Sequence, residues 1–159
     1  MKRLLITGIP GTGKTTFGGY LHNAEGYTHV DVEAETNRAR SYEILGPLVQ
    51  RVCNTPGDVV VTWGFRARED RQHIEFLRSM GFSMVWLDGD RNVALKYFKK
   101  RGTVPEFAFW AQVQDIDQSG VVTALQPYVF DPFTSNGNFK PSAQFYQKIL
   151  SRIKRSDES

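Results

Sequence analysis

The chain has little cysteine: Cys53 stands alone, so no internal disulfide can form, and the expected setting is a reducing cytoplasm. Long apolar runs are missing too. Val59-Val60-Val61 and Met84-Val85-Trp86-Leu87 fall far short of the roughly 20 residues that a membrane-spanning helix needs. Leu4-Leu5-Ile6 stops at Gly8, before a secretory hydrophobic region could form. No repeat, low-complexity stretch or interdomain linker occurs, so the expectation is a single domain over residues 1–159, without a membrane partner. Residues 102–139 contain no Lys or Arg, although they carry Glu106, Asp115, Asp117 and Asp131. The same stretch holds Phe107, Phe109, Trp110, Tyr128, Phe130, Phe133 and Phe139.

What is present is ordinary for a globular protein, with 40% hydrophobic and 23% charged residues. The net charge of +3 is too small to imply nucleic-acid binding by itself. Strand and helix patterns alternate along the chain. Short β-rich runs at 3–7, Tyr27–Val32, Val59–Thr62, Ser83–Leu87 and Tyr128–Phe130 are expected strands. Helices are expected from Lys14 to about His22, over 34–53, 68–80, from Asp90 to Lys100, and over 141–155. Gly18 and Gly19 weaken the first helix by about 1 kcal/mol each. This alternation predicts a parallel sheet covered by helices on both faces, with ligands bound beyond the carboxyl ends of its strands.

Those strand ends carry the chemistry. Gly8-Ile9-Pro10-Gly11-Thr12-Gly13-Lys14-Thr15 matches G-x-x-x-x-G-K-[ST], between an expected strand and an expected helix. Glycines let the backbone curl so that successive N–H groups point at phosphate oxygens, and the following helix adds its positive end. Lys14 is expected to reach the β- and γ-phosphates, and the Thr15 hydroxyl to ligate Mg²⁺. The expected fold is therefore a three-layer α/β/α P-loop NTPase with a five-stranded parallel sheet. A regulatory GTPase would need N-K-x-D, which is absent. A motor ATPase would end its third strand in acids, where this chain has Val61-Thr62-Trp63-Gly64. The acids follow the second strand instead, in Asp31-Val32-Glu33.

Over about residues 3–101 the sequence resembles small-molecule kinases of the nucleoside-monophosphate-kinase-like group, particularly gluconate and shikimate kinases. The resemblance is carried by Ile6–Thr16, Asp31-Val32-Glu33, Val59–Arg66, and Trp86–Asp90 through Lys100-Arg101-Gly102. It implies binding of ATP with Mg²⁺, with Gly8, Gly11, Thr12, Gly13, Lys14, Thr15 and Thr16 around the phosphates. Thr15 and Asp31 would serve the metal, and Asp31 would alternatively act as base for an acceptor hydroxyl. Lys14, Asp31 and Arg101 are thus the expected catalytic residues. Arg101, at the entrance to a lid of about residues 102–120, would contact adenine or phosphate, and Asn138 would help frame adenine.

Asp31, Glu33, Trp63, Arg66 and Arg68 are the expected acceptor-binding residues. Glu33 would share a face with Asp31 if the strand continues, and suits a polyol, a sugar or an amine. Arg66 and Arg68 stand either to bind an anionic group or to form local ion pairs with Glu69 and Asp70. In two respects the chain departs from the group. Its lid carries no arginine, and Trp63-Gly64-Phe65 does not match the glycine-rich turn of shikimate kinases. The leading expectation is transfer of the γ-phosphate of ATP to a hydroxyl of a small metabolite. A nucleoside, a nucleotide or a polynucleotide 5′ end is the alternative acceptor, with nucleic acid open but not favoured. A nucleotide-binding switch is the alternative from another class.

Overall fold

The computed structural model describes residues 1–102 and 104–158; Thr103, inside the expected lid, and Ser159 lie outside the described residues. Five strands form one all-parallel sheet: β1 (Arg3–Gly8), β2 (Thr28–Asp31), β3 (Val59–Thr62), β4 (Ser83–Leu87) and β5 (Tyr128–Phe130). Their order is β2-β3-β1-β4-β5, so β1 is central and the phosphate loop leaves the middle of the sheet. The helices are α1 (Lys14–Glu25), α2 (Val32–Ala39), α3 (Leu45–Asn54), α4 (Arg71–Ser79), α5 (Arg91–Lys100), α6 (Glu106–Ser119), α7 (Val121–Leu125) and α8 (Ser142–Asp157).

Period-two alternation splits the core into two layers. Leu4 and Ile6 of β1 join Val60, Val85 and Leu87 against Phe17 and Leu21 of α1 and Phe145, Tyr146 and Ile149 of α8. Leu5, Val59, Val61, Met84 and Trp86 face the other way, onto α3, α4, α5 and α6. Both sheet faces are therefore covered, which is why the inner strands β1, β3 and β4 read as largely apolar runs. No helix among the described residues is long and apolar enough to cross a membrane.

Where the structure departs from the sequence pattern, four differences have a clear physical reason. The second strand ends at Asp31, because the Asp31 side chain accepts the Ala34 N–H at 3.4 Å and caps α2. The helix expected over 34–53 divides into α2 and α3, since Arg40 adopts a left-handed conformation (φ 53°) and its N–H closes onto Asn37 and Thr36. The helix expected from 68 starts at Arg71, because Asp70 holds the preceding turn through the Arg66 N–H at 2.7 Å. The acidic, aromatic stretch after Arg101 holds two helices, α6 and α7, joined at Gly120 in the left-handed region. Phe109, Val113 and Ile116 supply the buried face of α6 at helical spacing.

Gly18 has a role that propensity alone misses. A Cβ there would overlap His29 Nε2 and sit 2.7 Å from Thr62 Cγ2, so glycine lets α1 lie close on β2 and β3. Gly19 faces open space.

Candidate active site

The phosphate loop wraps from β1 to α1 against the backbones of β4 and α5. Gly8 (φ 137°) and Gly11 (φ 80°) sit in conformations that side chains rarely adopt. A Cβ on the first would overlap the Leu87 carbonyl, and on the second the Ala94 carbonyl. Gly13 caps α1 without a side-chain partner, and the first turn of α1 carries no acid. Its open N–H groups and helix dipole thus face the loop, an arrangement suited to an anion.

Lys14 is buried, and its Nζ donates to the Ile9 carbonyl at 2.7 Å and the Gly8 carbonyl at 3.4 Å. Burial lowers its pKa to about 8, from 10.5; Glu33 pulls it back up and Arg101 pushes it further down. Thr15 Oγ1 donates to Asp31 Oδ2 at 2.9 Å, joining the start of α1 to the end of β2. Glu33 stands on the first turn of α2, not on a continued strand, yet its carboxylate turns inward and accepts the Gly64 N–H. Burial raises its pKa to about 7, from 4.5, with Asp31 adding to the rise and the Gly64 N–H opposing it. Gly64 is small for a reason: a Cβ would come 2.8 Å from Glu33 Oε1 and 3.7 Å from Lys14 Cε.

Lys14, Thr15, Glu33, Trp63, Arg101 and Gln112 line one cavity of about 190 Å³, completed by Pro10, Gly64 and Phe98. Glu33, Trp63 and Gly64 also border a smaller chamber of about 60 Å³, where Asn37, Tyr42, Arg66 and Asp70 face them. Across the loop, Thr12, Gly13 and Thr16 border a third cavity of about 100 Å³, walled by Phe17, Leu87, Phe139 and Phe145. The first two share Glu33, Trp63 and Gly64 in their linings, and the third is mainly apolar.

The expected site residues fall unevenly across these cavities. Lys14, Thr15, Glu33, Trp63 and Arg101 converge on the first, and Asp31 joins it through Thr15. Trp63 is buried and stacks on His73 at 6.3 Å. Arg66 borders the smaller chamber but is bonded to Asp70, its Nη2 donating to Asp70 Oδ1 at 2.9 Å. Arg68 is exposed and lines neither chamber. Asn138 lies in a turn, donating its N–H to Thr134 Oγ1 at 3.3 Å; its neighbours Phe139 and Lys140 line the apolar cavity instead. Sequence reasoning missed Gln112, Asn37 and Tyr42, and it named Asp70 only as an ion-pair partner. For Gln112 no sequence signal points to the cavity: it lies beside the buried Phe109–Val113–Ile116 stripe, and only the packing of α6 brings it to the lining.

Thr15 and Asp31 fit a hard divalent cation. They offer a hydroxyl and a carboxylate oxygen, and among the described residues no cluster of three or more His, Cys, Asp or Glu forms a complete cage. That combination suits Mg²⁺, which keeps waters and shares substrate phosphates rather than occupying an all-protein site.

Comparison with solved structures gives the same architecture. The shikimate kinase from Acinetobacter baumannii in complex with shikimate superposes at TM-score 0.72, with 18% identity, over 98% of this chain and 94% of that one. A gluconokinase from Sinorhizobium meliloti 1021 matches at TM-score 0.67 and 20% identity, over 99% and 94%. The fold is that of the P-loop kinases. The Deinococcus radiodurans tunicamycin resistance protein matches as well, at TM-score 0.63 and 16% identity over 96% of each chain. One fold thus serves proteins of different names, and what this chain does must be argued from its own pocket. No family model matches the chain, and no curated protein matches it in sequence.

Proposed function

We propose that the protein is an ATP-dependent phosphotransferase that moves the γ-phosphate of ATP onto a hydroxyl of a small metabolite. The observation that carries this reading is the convergence of Lys14, Glu33 and Arg101 in one cavity, beside the Thr15–Asp31 pair. The backbone of Gly8–Thr16 cradles the phosphates, and the apolar cavity beside Gly13 takes the base, with Phe139 and Lys140 at its edge. Lys14 gives up its bonds to the loop carbonyls and turns to the β- and γ-phosphates. Arg101 supplies the second cation that spreads transition-state charge. Thr15 and Asp31 would hold Mg²⁺, which would supply neutralisation of phosphate charge.

Glu33 is the proton acceptor. Its carboxylate lies in the cavity with Lys14, and a pKa near 7 matches a base working at neutral pH. The acceptor oxygen forms its bond to Pγ as the bond from Pγ to the β–γ bridging oxygen breaks. ADP leaves, and the hydroxyl proton passes to Glu33. Helix α6 serves as the lid, bringing Gln112 onto the acceptor and excluding water. Two small chambers support a compact acceptor, since pockets for drug-sized ligands run to about 300–1,000 Å³.

The test is ADP release from Mg·ATP with a panel of hydroxyl metabolites, nucleosides and oligonucleotides. Stimulation by a small hydroxyl compound supports the reading. Tight ATP binding with no stimulation by any acceptor would point to a nucleotide-driven switch instead.

A further inference from the structure

The charge of the acceptor can be read from which cations near the cavity are already committed. Arg66 is the only cation lining the smaller chamber among the described residues. Its guanidinium donates to Asp70 Oδ1 at 2.9 Å and lies 3.9 Å over the ring of Tyr42, while its backbone N–H donates to Asp70 Oδ2 at 2.7 Å. Asp70 is 2% exposed, so water cannot readily replace that partner. Arg71 donates to Glu75 at 3.0 Å, and Arg68 lines neither chamber. In the larger cavity Lys14 and Arg101 flank the phosphate loop, where the triphosphate engages them. An anionic acceptor would therefore meet the Glu33 carboxylate and an arginine whose charge Asp70 already balances. The acceptor's charge would gain no uncommitted cation and would face a like charge, which disfavours it.

We infer that the acceptor is a small polyhydroxy compound, uncharged or carrying an amine, and that carboxylates and phosphate monoesters are excluded. This rests on the phosphotransferase reading. It sets the protein apart in substrate from enzymes acting on acids, although it shares their fold. Polar groups suited to hydroxyls are in place: Asn37 and Thr36 in the smaller chamber, Gln112 in the larger.

The test measures binding and transfer separately. Protein saturated with Mg²⁺ and a non-hydrolysable ATP analogue is titrated by calorimetry with sorbitol, glucose, glucosamine, gluconate and shikimate, and the same compounds are assayed for ATP turnover. In the wild type, either acid should bind at least tenfold more weakly than the best neutral or amine compound. Glu33→Gln, which removes the like charge, and Asp70→Asn, which releases Arg66, should each raise acid affinity at least tenfold. Circular dichroism checks that both variants fold, and Glu33→Gln, which retains the Gly64 contact, decides if Asp70→Asn does not. Acid binding to the wild type as tight as that of any neutral compound overturns the inference, as does no gain in the folded variants. Absence of acceptor-stimulated turnover across the whole panel overturns the phosphotransferase reading instead, and leaves the binding comparison to stand or fall by itself.

Discussion

Glu33→Gln should make the protein more stable and inactive, and the pH at which stability is measured should decide how much. The glutamine Oε1 can still accept the Gly64 N–H, so the contact between α2 and the turn after β3 survives. What disappears is a carboxylate whose pKa burial raises from 4.5 to about 7. Between those values the folded protein binds a proton that the unfolded chain does not. Wild-type stability is therefore fully present below pH 4.5 and falls as pH rises through 7. A rise of that size corresponds to about 3 kcal/mol at most. Glu33 is partly exposed, and its charge also attracts Lys14, an attraction the variant loses. The expected net gain at pH 8 is about 1–2 kcal/mol, or roughly 2–8 °C in melting temperature at this chain length. Thermal melts of both proteins at pH 4.5 and pH 8 check it: little difference at the lower pH, the full gain at the higher. A variant less stable at pH 8, or a gain independent of pH, would refute the placement of a buried carboxylate. Phosphoryl transfer should fall at least 100-fold in the same variant, through loss of the base.

The adjacent glycines of α1 should respond with opposite signs. Gly18→Ala, pressed against His29 and Thr62, should lower stability by about 1–3 kcal/mol, whereas Gly19→Ala, facing open space, should raise it by about 0.5–1 kcal/mol in a denaturant melt. Equal effects would contradict the close seating of α1 on β2 and β3. Lys14→Ala and Asp31→Asn should each abolish transfer while far-ultraviolet circular dichroism stays that of the wild type; near-normal turnover in Asp31→Asn would remove Asp31 from the metal role. Chelating divalent cations with EDTA should reduce acceptor-stimulated turnover to background, and excess Mg²⁺ should restore it. Full turnover in EDTA would contradict the assignment of Thr15 and Asp31.

Much of the fold was legible because its signals are local. The parallel sheet follows from β-rich runs alternating with helical ones, and the phosphate loop from glycines that its backbone conformation requires. Strand order was not legible, since it depends on crossovers between segments far apart in the chain. Glu33 shows how a site residue can be found on the wrong ground. The sequence pattern puts it beside Asp31 only if the strand continues past Val32, but Asp31 caps a helix and Glu33 reaches the cavity from the first turn of that helix. Arg66 illustrates the opposite case. Its sequence context allows either a ligand for an anion or a partner for Asp70, and only the observed 2.9 Å contact separates them. Gln112 needed tertiary information, because the segment containing it draws attention for its aromatics and missing cations. Its approach to Lys14 depends on how α6 packs over α5.

The central claim is that the cavity beside Lys14 brings an acceptor hydroxyl to the γ-phosphate. The most direct measurement is transfer of labelled γ-phosphate from ATP to a hydroxyl compound, with the product identified by mass spectrometry. Wild-type protein should yield a phosphate ester of a small neutral or amine-bearing polyol, and Lys14→Ala should yield none. ATP that binds tightly yet passes its phosphate only to water, whatever hydroxyl compound is present, would contradict it.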